Sequence, residues 1–314
     1  MIVSIPLFIL GIVLLWAGTE AVLRRVPHLA AWLRVSPLVV TVLLVAVMTS
    51  LPEFTVSLFA SLRDQPAAAV GNIVGSNFVT LTFVAGVCAL WRPIVVGPTI
   101  RQRESSWMIL AAALLLVLAM DGVISRTDGV ILVAAYLPYF WSTLDDAREQ
   151  RASAPVARGG RPWLDVAVFV AGVAMIVLGA NWIVAHGTAI ARELGMSDLL
   201  IGVTFYAFGT SLPELAIALG AVLRRQADVT LGEIYASNIF TGLAVAGVLC
   251  LILPLSVESL IVTRDLPLLI VAGVILQMFV TTGRRFVRLE ALVMIAIFAL
   301  FLAAQFAGFD LSLP

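Results

Sequence analysis

Five residues, Thr49-Ser50-Leu51-Pro52-Glu53, return later in the chain as Thr210-Ser211-Leu212-Pro213-Glu214, each time inside a long apolar stretch. An ionised carboxylate held in hydrocarbon costs on the order of several kcal/mol unless it is paired or solvated, so two in matched settings point to a bound cation. Proline removes a backbone donor and clashes with the preceding turn, so each copy is expected to kink or interrupt its helix and free carbonyls. A hard cation takes oxygen ligands, and the two copies together offer two carboxylates, four hydroxyls and several carbonyls. That is enough oxygen for one Ca²⁺ or for several Na⁺. Two carboxylates neutralise one divalent ion, whereas monovalent ions must bind more than one at a time, so mutually exclusive occupancy would make an exchanger.

The elements that carry these residues are duplicated. Every residue from 18 to 80 aligns without a gap to the residue 161 positions later, 179 to 241, and 22 of the 63 pairs are identical. A chain rich in Leu, Ala and Val would match by chance at roughly one position in ten, so shared hydrophobicity alone does not account for it. A second element follows each proline segment: Gly71-Asn72-Ile73-Val74-Gly75-Ser76-Asn77 and Gly232-Glu233-Ile234-Tyr235-Ala236-Ser237-Asn238. Its small residues permit close helix approach, and Ser76 and Ser237 add hydroxyls.

With 61% apolar and only 12% charged residues, 314 residues cannot cover a soluble globule with polar surface. Ten apolar segments approach the spanning length, at about 2–23, 37–62, 67–91, 106–122, 127–143, 163–184, 197–223, 229–253, 266–281 and 289–307. The N-terminus lacks basic residues and its apolar run leads into the repeat, so the first helix is expected to be retained rather than cleaved. Every basic residue is Arg, and ten spans divide them fifteen to one side and four to the other. The positive-inside rule then places the richer side in the cytoplasm and both termini outside. Glu53 falls in the second span and Glu214 in the seventh. Five spans apart is an odd number, so the copies cross in opposite directions, an inverted repeat that supplies two pseudo-equivalent conformations. The fold class expected is an all-α membrane protein of ten transmembrane helices arranged as two inverted five-helix repeats, occupying 1–143 and 163–314. The polar run 144–162 reads as a cytoplasmic linker, too short for a folded domain.

These motifs resemble the sodium/calcium exchanger family of the cation/calcium exchanger superfamily, whose two alpha repeats carry Gly-Thr-Ser-Leu-Pro-Glu and Gly-Asn-x-x-Gly-Ser-Asn. The resemblance covers both repeats, 18–80 and 179–241, and the ten-span plan. It implies that Glu53 and Glu214 bridge Ca²⁺ centrally, that Thr49, Thr210, Ala46 and Ala207 offer backbone carbonyls, and that Ser50, Ser211, Ser76 and Ser237 line flanking Na⁺ sites. It further implies that the first and sixth helices slide together across a fixed core. The chain departs from the family pattern at Thr80 and Thr241, where archaeal relatives place an Asn and an Asp. Met48 replaces a motif glycine, Ala236 another, and Glu233 stands where the first copy has Asn72.

Glu233 lies five residues beyond Asp228 at the predicted cytoplasmic edge of its span. A water-facing interfacial acid is the simpler reading; an entrance ligand or proton acceptor is the other. Glu20 reads as an interfacial partner of Arg24 and Arg25. His28 and His186 fall at membrane edges, and Cys88 and Cys250 read as buried small hydrophobes without metal-ligand spacing. The helices at 106–122 and 266–281 carry few polar groups and read as scaffold.

The leading functional reading is a secondary antiporter exchanging Na⁺ for Ca²⁺, with no cofactor beyond its transported ions. The alternatives are a proton-coupled divalent-cation antiporter and a transport-inactive relative. An enzyme is disfavoured because no nucleophile, His-based metal cluster or phosphate loop accompanies the glutamates. Membrane lipid and the transported cations are the expected partners, not nucleic acid. The linker leaves no room for the large calcium-sensing insertion of some relatives, and a prokaryotic plasma membrane is the expected location.

Overall fold

The computed structural model describes residues 4–62, 66–153, 162–193 and 209–307. The described residues form ten helices: α1 Ser4–Leu33, α2 Pro37–Leu62, α3 Ala68–Trp91, α4 Ile100–Ala119, α5 Arg126–Ser153, α6 Pro162–Glu193, α7 Leu212–Leu223, α8 Ala227–Ile252, α9 Ile261–Thr282 and α10 Arg288–Ala307. All except α5 and α7 contain a span long and apolar enough to cross a membrane. α5 has the length but carries a charged C-terminal third, and α7 is the described part of the segment expected over 197–223. The expected linker is partly helical, because α5 continues unbroken to Ser153. Asp145, Asp146 and Arg148 fall on good helix positions there, and Arg148 pairs with Asp145 one turn earlier at 2.9 Å.

Two short β-ribbons report the inversion directly. β1 (Ile94–Val95) pairs antiparallel with β4 (Arg285–Phe286), and β2 (Val123–Ile124) pairs with β3 (Leu255–Ser256). β1 and β2 flank α4, a helix of 20 residues and therefore about 30 Å long, so the two ribbons sit at opposite ends of the bundle. The 161-residue offset carries β1 onto β3, which belongs to the other ribbon. Equivalent pieces of the two copies thus lie at opposite ends, as antiparallel insertion of the halves demands.

Burial sorts the helices into a centre and a rim. α3 and α8 have 78% of their spanning windows buried, against 22% for α1 and α10, so the second helix of each repeat's site motif forms the core. α1 and α6 pack as a pair through glycines related by the same offset. A Cβ on Gly18 would stand 2.5 Å from the Gly172 carbonyl, and one on Gly179 would stand 2.6 Å from that of Gly11. Backbones come this close only where side chains are absent, the usual basis of helix association in lipid.

The ends of α4 and α9 hold more than scaffold. At the start of α4 the half-buried Arg103 and the fully buried Glu104 form an ion pair at 2.7 Å that Asp146 and the Tyr139 hydroxyl complete, the latter donating to Glu104 at 2.5 Å. The repeat equivalents Arg264 and Asp265 pair at 2.7 Å at the start of α9, and Arg264 donates to Gln305 of α10 at 2.6 Å. The apolar stretches 106–122 and 266–281 begin after these residues, which is why hydropathy alone missed them. Glu20 pairs with Arg24 at 2.7 Å as expected, and also with Arg224, which caps the C-terminal end of α7. His28 has an acidic neighbour after all, Asp165 of α6 at 3.6 Å, though its side chain stays largely exposed. Cys88 and Cys250 are buried free thiols.

Candidate ion-binding site

The proline segments break their helices at the same residue and in the same way. Ser50 and Ser211 leave helical geometry at φ −82°, ψ 6° and φ −88°, ψ 5°, and a new helix starts at Leu51 and at Leu212. Pro52 and Pro213 sit in the first turn of these second halves, where a missing N–H is no loss. Glu53 and Glu214 occupy the same first turn, so each carboxylate lies at the positive end of a half-helix dipole. The first half of α2 ends at Thr49 with its carbonyl end turned toward the break, the arrangement that suits a cation.

The two breaks meet, and each copy serves the other's acid. The Ser50 hydroxyl donates to Glu214 Oε1 at 3.3 Å, and Thr210 bonds through its side chain to Glu53. Thr49 Oγ1 lies 2.6 Å from Glu233 Oε1, with the Val45 and Ala46 carbonyls at 3.1 and 3.2 Å. One hydroxyl has a single proton for three acceptors, and the short carboxylate contact is the strongest of them. Glu53 and Glu214 are each 2% exposed and Glu233 is fully buried. Among the described residues, one oxygen of each, Oε2, finds no partner, and neither does the buried Ser211 hydroxyl. Buried polar atoms are ordinarily satisfied, so four orphans in one place mark where something else binds.

Glu233 is therefore not a water-facing acid at the membrane edge. It belongs to α8, whose residues Val229–Ile239 are all buried, because the small residues Gly232 and Ala236 let α2 pack directly on that face; a Cβ on Gly232 would meet Leu38 at 2.5 Å. Its counterpart Asn72 donates to Ser57 Oγ at 2.9 Å and to the Glu53 carbonyl at 3.3 Å, bracing α3 against α2. Ser57 was not singled out from the sequence; its polar character amid an apolar helix was the available signal. Ser76 and Ser237 are buried, and each donates to the carbonyl three residues back, at 3.2 and 3.3 Å. Thr80 and Thr241, both buried, are the first and second residues of the π-helical stretches Thr80–Val84 and Phe240–Val245, a local widening common at functional positions. The Ala46 carbonyl accepts from Ser50 N at 3.2 Å. Ala207 lies outside the described residues. Asn77 donates to the Asn238 carbonyl at 3.3 Å, a contact between repeat-equivalent residues on the pseudo-symmetry axis that the motif contained but whose role spacing did not reveal.

The copies differ in one respect. A cavity of about 480 Å³, lined among the described residues by Asn72, Ser76, Arg264, Asp265, Phe301 and Gln305 and several others, reaches the first copy's motif on α3. The equivalent residues of α8, Glu233 and Ser237, are packed shut.

Inverted repeats of five helices, crossing breaks and carboxylates that have no basic partner among the described residues define a multi-pass membrane antiporter for cations. The chain belongs to the sodium/calcium exchanger family: the family model described as sodium/calcium exchanger protein matches residues 3–144 and 164–307. It is 32% identical over 291 residues to the inner membrane protein YrbG of Escherichia coli, covering 88% of each chain. It is 31% identical to the putative antiporter CaxA of Alkalimonas amylolytica, covering 95% of this chain and 97% of that one. The sodium/calcium exchanger MaX1 of Methanosarcina acetivorans is 28% identical, with 97% and 99% covered. A solved structure of the sodium-calcium exchanger NCX_Mj, soaked with Na⁺ and Sr²⁺, superposes with a TM-score of 0.84 at 28% identity, covering 96% of this chain and 99% of that one.

Proposed function

We propose that the protein exchanges Na⁺ for Ca²⁺ across a prokaryotic plasma membrane, extruding Ca²⁺ from the cytoplasm by alternating access. The observation that carries this reading is the pair of repeat-related carboxylates, Glu53 and Glu214, buried at the junction of two broken helices with an oxygen of each unsatisfied among the described residues. Ca²⁺ would sit between them, with carbonyls of Ala46, Thr49, Ala207 and Thr210 completing its shell. Ser50, Ser211, Ser76 and Ser237 would line the flanking Na⁺ positions. Filling those positions draws the same oxygens away from Ca²⁺, so the two cargoes exclude each other and net flux needs a counter-gradient. The unequal packing of Asn72 and Glu233 fits a carrier at rest in one of two pseudo-equivalent states. In this scheme α1 and α6 slide as a unit on their glycine contact, and both termini lie outside.

The deciding experiment uses proteoliposomes loaded with Na⁺ and diluted into Na⁺-free medium containing radioactive Ca²⁺, beside K⁺-loaded vesicles and vesicles with an imposed pH gradient. Uptake that requires internal Na⁺ is expected. Uptake driven by the pH gradient alone would instead establish proton coupling, the second reading, which the burial of Glu233 among the hydroxyls of the site favours. Absence of uptake in every condition would sink both.

A further inference from the structure

A groove of about 500 Å³ runs along the seam between α1 and α7, on the rim of the bundle and away from the ion-binding site. Its walls are apolar, with Leu15 and Trp16 contributed by α1 and Leu219 and Leu223 by α7. Trp16 is 70% exposed and Leu223 54%, so the surface that lipid must cover includes these walls. Gly220 marks where the two helices touch: a Cβ there would stand 2.7 Å from both Leu23 and Thr19 of α1. The groove is therefore bounded by one helix from each copy of the repeat.

Charge closes one end of it. Glu20, which lines the groove, accepts from Arg24 at 2.7 Å and from Arg224 on the same oxygen, Oε1. Two guanidinium groups against one carboxylate leave a net positive charge of one. Arg24 is engaged through Nε and Arg224 through Nη2, and among the described residues their other nitrogens have no partner. Both side chains stay accessible, Arg24 at 67% and Arg224 at 29%, whereas the neighbouring Arg25 is taken up by Asp165 at 2.8 Å. Converging guanidinium groups with spare N–H donors match the oxygens of a phosphate. A free phosphate would leave the apolar walls unused, while a phosphate that carries acyl chains uses both parts of the groove. The second copy lacks the arrangement, because the 161-residue offset carries Glu20 and Arg24 to Asn181 and Ala185.

We infer that the α1–α7 groove binds an anionic diacyl phospholipid, with its phosphate on Arg24 and Arg224 and one acyl chain along Leu15, Trp16, Leu219 and Leu223. Basic pockets between spanning helices hold anionic headgroups in this way. Glu20 has two opposed effects on the site: it gathers the two arginines, and it offsets one of their charges.

Brominated acyl chains quench tryptophan on contact, and Trp16 reports from within the groove. The protein is reconstituted in phosphatidylcholine vesicles containing a low mole fraction of phosphatidylglycerol, with bromine on matched amounts of one lipid or the other. The Trp16 signal is the difference between each protein and its Trp16→Phe counterpart. Brominated phosphatidylglycerol is expected to quench Trp16 about fivefold more effectively than the same amount of brominated phosphatidylcholine. Arg24→Gln, at an exposed position and with the Glu20–Arg224 pair left in place, should lower that ratio, and Arg24→Gln with Arg224→Gln should bring it to one. Glu20→Gln should raise it, because the offsetting charge is gone. A wild-type ratio of one, or a ratio unmoved by the arginine variants, would overturn the inference. So would a fall in Glu20→Gln that matches the arginine variants, which would reduce the cluster to a brace between α1 and α7. None of these readouts depends on which ions the protein carries, so the outcome is separate from that of the exchange assay.

Discussion

At the scale of single residues, chemistry is concentrated on atoms that the protein leaves unsatisfied. Glu53 and Glu214 each accept some protein bonds and keep one oxygen free, so replacing either by glutamine removes half the charge facing a divalent ion. Loss of one member of a buried charge pair costs about 3 kcal/mol, or about a hundredfold in an equilibrium constant. Glu53→Gln and Glu214→Gln are expected to lower Ca²⁺ flux by at least about that factor, while size-exclusion profile and thermal unfolding in detergent stay close to wild type. Wild-type flux in either variant would refute the site. A milder effect is expected at Ser211, whose hydroxyl has no partner among the described residues: Ser211→Ala should weaken the apparent affinity for Na⁺ without altering stability, read from the Na⁺ concentration that half-inhibits Ca²⁺ uptake. The carboxylates, hydroxyls and prolines of this site were legible from spacing alone. Glu233 was not, because nearness to Asp228 in sequence suggested the water interface, whereas α2 packed on the small residues of α8 encloses it.

Among the elements, glycine decides which helices can touch and which can slide. Gly18 and Gly179 bring the α1 and α6 backbones into contact, and any side chain there forces them apart. Gly18→Val is expected to destabilise the protein by about 1–3 kcal/mol, the usual range for overpacking, and to lower the melting temperature measured in detergent. If the α1–α6 pair moves as a unit, the same substitution also slows transport more than loss of folded protein explains. An unchanged melting temperature would show that the close approach is not used. Apolar runs placed the starts of these two helices to within two residues but stopped short of their observed ends at Leu33 and Glu193. They also stopped α5 too early and began α4 and α9 too late, because hydropathy discounts charged residues that the fold satisfies with one another: Arg103 with Glu104 and Asp146, Arg264 with Asp265 and Gln305. Paired charges inside a helix end look like a boundary when read one at a time.

For the whole molecule, the odd offset of five helices from one copy to the other has a measurable outcome. The ribbon of β1 and β4 and the ribbon of β2 and β3 lie on opposite faces of the bundle, and the arginine distribution predicts that the first faces the cytoplasm. Val95 and Val123 are exposed in these ribbons, at 58% and 43%. With Cys88 and Cys250 replaced, a membrane-impermeant thiol reagent is expected to label Val123→Cys from outside intact cells, and Val95→Cys only after the membrane is opened. The reverse pattern would invert the topology; labelling of both from one side would contradict the inverted repeat. This much of the architecture followed from counting spans, because parity does not depend on where any helix begins.

The contacts that complete the site all join distant parts of the chain: Thr49 with Glu233, Ser50 with Glu214, and Thr210 with Glu53. A ribosome delivers Glu53 to the membrane well before Thr210 exists. For that interval the nascent first half carries an acid whose partners are still untranslated, and its ribbon strand β1 has no β4 to join. Biogenesis of this carrier therefore has a late commitment point, when α7 and α8 arrive, and a chain truncated before it is the form that a cell's membrane quality control should recognise and degrade.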